Sequence, residues 1–284
     1  MNRRLWLNLS LTAIAIALAV FVYLRHDEPT TTPLPRLTQL QASKVQHIVI
    51  SRQGEADIVL QRQDSGWRMT QPLQVPANEP RVLALLQLLS QHSYGRFPAQ
   101  AMALDKLGLA SANVVVRYDA LRMEFGLIEP LNKRRYVLID GEVQLIDDTN
   151  YYSLIAQLSR FISLRLLAED EQLVRIELPQ LHLHKTEQGW QLDTPQQPRL
   201  GDDLIRLVQT WQSASALEVQ PGTSDRARGK SVIELGLAGD RPPIRLAILS
   251  RSPDLILLRL DNNLQYTFTA HQAEQMLQLS PATN

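Results

Sequence analysis

The sequence predicts an α+β protein: a tandem duplication of a β-β-β-α-β-β-β-β-α unit with mainly antiparallel sheets, preceded by one N-terminal transmembrane helix. Three observations carry that prediction. Gly66-Trp67 and Gly189-Trp190 are each followed by a proline five residues after the tryptophan, and one offset of 123 residues joins Trp67 to Trp190 and Pro72 to Pro195. Self-similarity at a fixed offset is the mark of an internal duplication. Short alternating apolar runs, grouped around single helical patterns, favour antiparallel sheets with helices set against them. Finally, residues 5–24 are twenty residues without a charge.

Those twenty residues, rising 1.5 Å each in a helix, cover about 30 Å, the thickness of a bilayer's hydrocarbon. Trp6 and Tyr23 stand near the two ends, where amphipathic rings favour the interface, and Arg3 and Arg4 favour a cytoplasmic amino end. A cleaved signal peptide is the alternative, with Ala17-Leu18-Ala19 as its small-residue site. The apolar run continues through Leu24, longer than a signal core, so an uncleaved anchor is expected. Residues 26–43 carry three prolines and four threonines and read as a tether.

The first unit opens with Val45, His47 and Val49 alternating with Gln46, Ile48 and Ile50. Turn residues at 53–55 and 64–66 separate this run from 57–62 and from Trp67-Arg68-Met69, which makes a meander. Asn78 stands at an N-cap position before Glu79, Pro80 and a leucine-rich helical stripe. A second helix is expected over residues 101–107, ending at Gly108. Strands follow at 113–118, 121–127, 135–139 and 142–146, the last two joined by Asp140-Gly141. A helix over residues 150–160 closes the unit.

The same order recurs: strands at 173–178 and 181–185, Gly189-Trp190, and a helix starting at Gly201-Asp202-Asp203. Four strands come next at 231–237, 244–250, 255–260 and 264–268, then a helix over 271–279. The expected domains are therefore 1–25 (cytoplasmic end and anchor), 26–43 (tether), 44–168 (first unit) and 169–284 (second unit).

Composition narrows function. Lys and Arg number 29, as do Asp and Glu, so the formal net charge is zero. A general nucleic-acid binder needs a basic surface to neutralise phosphates, and none is expected here. The chain has no cysteine, which excludes disulfides, thiolate metal sites and lipidation of a thiol. Gly222 to Ser231 ends in Gly-Lys-Ser but sets six residues between its glycines where a phosphate loop sets four, and a strand pattern follows. Nucleotide binding is not expected. His182 and His184 alternate on one strand face, and the matching positions Val59 and Gln61 place them toward solvent or a partner rather than on a metal.

Asp147-Asp148 and Asp202-Asp203 precede helical patterns, where negative charge is favourable, rather than forming an acid–base pair. Neither a G-x-S-x-G elbow nor a supported S-x-x-K is present. No catalytic, cofactor-binding or metal-binding residue is expected. Lys133, Arg134 and Arg135 form the one compact basic run after the tether; they are the candidate interaction residues, for acidic lipid or an acidic partner. Trp67 and Trp190 are expected in the core rather than on a sugar ring.

Several of these residues carry a resemblance: Gly66-Trp67 with Pro72, Asn78, Lys106-Leu107-Gly108-Leu109, Phe125-Gly126, Arg135-Tyr136-Val137 and Val143-Gln144-Leu145-Ile146. They span most of 45–167, and 173–279 more loosely, where Phe125-Gly126 has no counterpart. The arrangement resembles a bacterial family of uncharacterised, often duplicated extracytoplasmic domains found with gliding-motility-type ABC transporter components. The resemblance implies a membrane-tethered domain without an established activity. The expected function is an anchored extracytoplasmic interaction or accessory protein. It would be held in the cytoplasmic membrane by residues 5–24 and would have an envelope protein as partner. The alternatives are a glycan- or lipid-binding envelope module and an enzyme of unrecognised type.

Overall fold

The computed structural model describes Thr12, Ile14, Ile16, Val20 and residues 34–193 and 201–279. Of the expected anchor, those four residues are helical and exposed, and the rest lies outside the described residues. Among the described residues no helix is long and apolar enough to cross a membrane. From Arg36 onward the chain forms one compact unit. Residues 36–43, expected as the end of the tether, pack into that unit. Leu37 is buried, its N–H donates to the Gln91 carbonyl at 2.7 Å, and Arg36 bridges to His92.

The fold is mixed α+β with two antiparallel sheets. The first contains β1 (His47–Arg52), β2 (Ile58–Gln63), β3 (Gly66–Gln71), β4 (Val75–Pro76), β5 (Arg96–Pro98), β6 (Val114–Tyr118), β7 (Leu121–Ile128), β8 (Arg134–Ile139) and β9 (Glu142–Asp147). Its order is β4-β3-β2-β1-β6-β7-β8-β9-β5. The second contains β10 (Leu173–Leu178), β11 (Leu181–Thr186), β12 (Gly189–Leu192), β13 (Glu218–Pro221), β14 (Val232–Leu237), β15 (Ile244–Ser250), β16 (Leu255–Arg259) and β17 (Leu264–Phe268), ordered β12-β11-β10-β14-β15-β16-β17-β13. Apart from β4, the two successions match strand for strand. The helices are α1 (Glu79–Gln87), α2 (Tyr151–Leu154), α3 (Gly201–Gln212) and α4 (Ala270–Leu277).

Alternation explains which faces turn inward. On β1, Ile48 and Ile50 are buried while His47 is exposed, and they sit across the ladder from Leu60 and Ile58. Helix α1 starts where Asn78 Oδ1 accepts the Arg81 N–H at 3.3 Å, and it buries Val82, Leu85 and Leu86. Tyr118 on β6 donates its hydroxyl to the Leu85 carbonyl at 2.7 Å, which fixes the helix to the sheet inside the core. In the second half, the Trp211 indole N–H of α3 reaches the Met276 carbonyl of α4 at 2.8 Å. Helix α4 begins with a reciprocal Thr269–Gln272 capping box.

Two expected helices are corrected. Residues 101–107 form turns after a short 3-10 stretch at Ala99–Ala101, because the Leu107 carbonyl accepts the Leu127 N–H of β7 at 2.8 Å. Helix over 150–160 shrinks to α2 and a 3-10 turn at Leu158–Phe161. Between them the Ala156 carbonyl is taken by Arg52 Nη1 at 2.6 Å. Strands β4, β5 and β13 were absent from the sequence pattern. All three are short, end in proline and lie at sheet edges, the positions that tolerate a missing ladder donor.

Candidate functional site

The two sheets are joined by residues 161–168, and a cleft opens at this joint. The joining segment is stitched to both halves. Asn78 donates to the Phe161 carbonyl at 2.8 Å, and Ser163 to Pro76 at 2.9 Å. On the other side Leu166 donates to Ala214 at 2.9 Å, and Ala216 to Leu164 at 2.8 Å. Phe161, Ile162, Leu166 and Leu167 are buried in a core cluster that runs through both sheets. Sequence reading saw only a link here.

Over this segment lies a cleft of about 590 Å³. Its floor is apolar, from Trp67, Ala77, Ile162 and Leu166, and Asp64, Glu79, Glu169 and Asp170 bring four carboxylates to its lining. Arg165 and Arg259 are its two cations. Arg165 pairs with Glu169 at 3.5 Å, Arg259 Nε with Asp261 at 2.9 Å and Asp170 with Arg241 at 2.9 Å, so among the described residues Asp64 and Glu79 are the cleft carboxylates without an ion pair and leave it acidic. A second hollow of about 400 Å³ shares Gly66, Trp67 and Glu79 with the cleft and continues over Leu83 and Leu86 of α1.

The walls are held from below. Glu79 Oε1 accepts the Trp67 N–H at 2.7 Å. At Gly66 φ is +112°, and a Cβ there would lie 2.6 Å from that same oxygen, so only glycine fits the turn beside it. Arg259 Nη1 donates to the Leu166 carbonyl at 2.8 Å and its Nη2 lies 3.6 Å from Glu171, tying β16 to the joining segment. Burial works to lower the Arg259 pKa, but the hydrogen bond and charge of Asp261 outweigh it and the group stays firmly protonated. Burial raises the phenol pKa of neighbouring Tyr266. This arrangement can hold a chain that combines apolar and cationic groups.

The candidate interaction residues lie elsewhere and have different surroundings. Lys133 is exposed in the β7–β8 turn with φ +59°. The Arg134 guanidinium carbon lies 3.5 Å from the Tyr94 ring centroid. Arg135 is 8% exposed, pairs with Asp148 at 2.5 Å and stacks on Tyr151. Asp147 accepts the Tyr94 hydroxyl at 2.8 Å, so the acidic pair at 147–148 positions two aromatic–arginine contacts.

His182 is exposed, and His184 pairs with Asp193 at 2.5 Å. Among the described residues no group of three or more His, Cys, Asp or Glu is placed to hold a metal. Asp202 and Asp203 lie in the first turn of α3. Gly222 to Ser231 passes through a 3-10 turn at Ser224–Ala227 into β14. Trp67 is 7% exposed; Trp190 is half-buried against the core. The cleft residues Arg165, Glu169 and Asp170 sit close together on the irregular joining segment, while Arg259 reaches them from β16 across about ninety residues, a contact no local pattern encodes.

Residues 67–227 match the family model described as a domain of unknown function, DUF4340. The match begins at β3 of the first sheet and ends just before β14 of the second, so it runs across the joint. No curated protein and no solved structure matches the chain. Because the family model covers more than half of its length, the chain belongs to the DUF4340 family.

Proposed function

We propose that the chain is a single-pass anchored protein whose body lies on the extracytoplasmic side and binds a basic, partly apolar segment of an envelope protein in the cleft at the joint. The observation carrying this reading is the cleft itself: an apolar floor beside the carboxylates of Asp64 and Glu79, with Glu169 and Asp170 already paired to Arg165 and Arg241 and Arg259 facing Asp261. Opposite charge at a rim steers and orients a partner, while the apolar floor supplies most of the affinity. The apolar run at 5–24 supports the anchor, and transport complexes of the kind found with the resembling domains are the first partners to examine.

The reading includes a tandem duplication. It is supported by the matching strand successions and by equivalent backbone detail: Gly66 and Gly189 take φ of +112° and +114° before their tryptophans. Asp140 and Asn263, at φ of +48° and +55°, turn the corresponding hairpins.

The chain lacks cysteine, so single thiols report cleanly. A photocrosslinker on Glu169→Cys in intact membranes is expected to give a discrete adduct with an envelope protein. That adduct should weaken when Asp64 and Asp170 become Lys. Failure to form it, or the same pattern from Asp240→Cys, overturns the cleft assignment. Labelling of these thiols by an impermeant maleimide only after lysis overturns the extracytoplasmic placement.

A further inference from the structure

We infer that the end of β7 and the β7–β8 loop, residues 127–133, form a lipid-contacting tip for an anionic membrane surface. Leu127 is 57% exposed, Ile128 42% and Leu131 84%, and Pro130 between them is exposed as well. A single exposed leucine is ordinary; four exposed apolar residues within the five positions 127–131 are not.

The loop is stiff. Glu129 accepts the N–H groups of Leu131 at 2.8 Å and Asn132 at 2.7 Å through its two carboxylate oxygens. Its backbone carbonyl accepts Lys133 at 3.1 Å, and its N–H donates to Arg134 at 2.6 Å. Leu131 is thereby presented to solvent by a built turn. The acid that builds this turn faces the loop's own amides.

Charge selects lipid as the occupant. Lys133 and Arg134 flank the apolar apex, and within the basic run only Arg135 forms an ion pair among the described residues. Apolar groups flanked by cations suit an anionic headgroup layer, where each Lys or Arg adds favourable electrostatic attraction. Tyr152, 71% exposed, follows the Tyr151 ring that carries Arg135, and tyrosine favours that layer.

The body begins at Arg36, which pairs with His92, and two residues further Tyr94 supports Arg134 at the base of the loop. β7 and β8 are interior strands, so the loop projects from one end of the sheet. Its access to a membrane rests on the proposed anchor: eleven residues separate Leu24 from Arg36, a reach of about 40 Å at full extension.

The test uses the full chain reconstituted into vesicles of phosphatidylcholine, with and without phosphatidylglycerol. An environment-sensitive fluorophore is placed on Leu131→Cys or, as a control, on Asp240→Cys. The expected result is a blue shift at position 131 alone, larger with phosphatidylglycerol and reduced by Lys133→Glu or high salt. No shift at 131, or equal shifts at both positions, overturns the inference. A shift that appears without vesicles and grows with protein concentration assigns the loop to a second copy and also overturns it. Flotation of the Leu127→Ser/Leu131→Ser double variant with vesicles reports separately on the anchor, so failure of one reading is distinguishable from failure of the other.

Discussion

The Arg135 guanidinium meets the Asp148 carboxylate at 2.5 Å while its central carbon lies 3.4 Å from the Tyr151 ring centroid. A third contact runs from Arg135 Nη1 to the Gly126 carbonyl at 2.5 Å. One buried cation thus connects β8, β7 and α2. Breaking a buried pair by removing one partner leaves an uncompensated charge, a loss of about 3–5 kcal/mol. Asp148→Ala and Arg135→Ala are each expected near the lower end of that range, because the aspartate side chain keeps 19% exposure. Lys133→Ala, on the exposed loop, should stay within about 0.5 kcal/mol. Urea denaturation midpoints compare the three, and equal midpoints would reject this division of a continuous basic run.

Gly126 is the next prediction, since its carbonyl receives Arg135 while its α-carbon faces the turns at residues 102–110. A Cβ there would run into the Leu107 carbonyl oxygen and sit 2.9 Å from Leu109 Cγ. Backbone is a poor neighbour to displace, so Gly126→Ala should destabilise by about 1–3 kcal/mol. A thermal melt of the variant matching the parent would show that the 102–110 segment yields freely.

How much of this was legible beforehand depends on the range of the contacts involved. Local alternation located β10, β15 and β17 with the bounds observed, and Asn78 marked the start of α1. The helix expected at 101–107 failed because Leu107 and Leu127, twenty residues apart, share a hydrogen bond that no local pattern encodes. The basic run looked uniform in sequence. It separated because alternation along β8 turns Arg135 inward and Arg134 outward. The cleft was not legible at all: Asp64 and Arg259 meet across it only once the joining segment is in place.

Trp67 and Trp190 offer a comparison between the two halves. Trp67 sits on β3, which β4 covers on its outer side, and is nearly buried. Trp190 sits on β12, the outermost described strand of its sheet, and is half-buried. Truncating a buried tryptophan costs about 3–5 kcal/mol. Trp67→Ala should approach that, and Trp190→Ala should cost less than half as much. Equal losses, measured by guanidinium unfolding, would mean that the exposure difference has no energetic weight.

The final prediction concerns pH and the loop tip. Glu129 has its carboxyl held below the ordinary glutamate range, chiefly by the backbone N–H of Asn132, which with that of Leu131 outweighs the opposing desolvation. A carboxyl whose folded pKa is depressed contributes order that is fully present above its unfolded value and is lost as pH falls through the folded value. The Leu131 and Asn132 amides should therefore keep constant NMR shifts from neutral pH down to the ordinary glutamate range. Below it they should move together, with one midpoint. Glu129→Gln keeps one of the two acceptor oxygens but cannot titrate, so its amides should show no such step. A step that survives in Glu129→Gln would place the titrating group elsewhere and remove this carboxylate as the cap that presents Leu131.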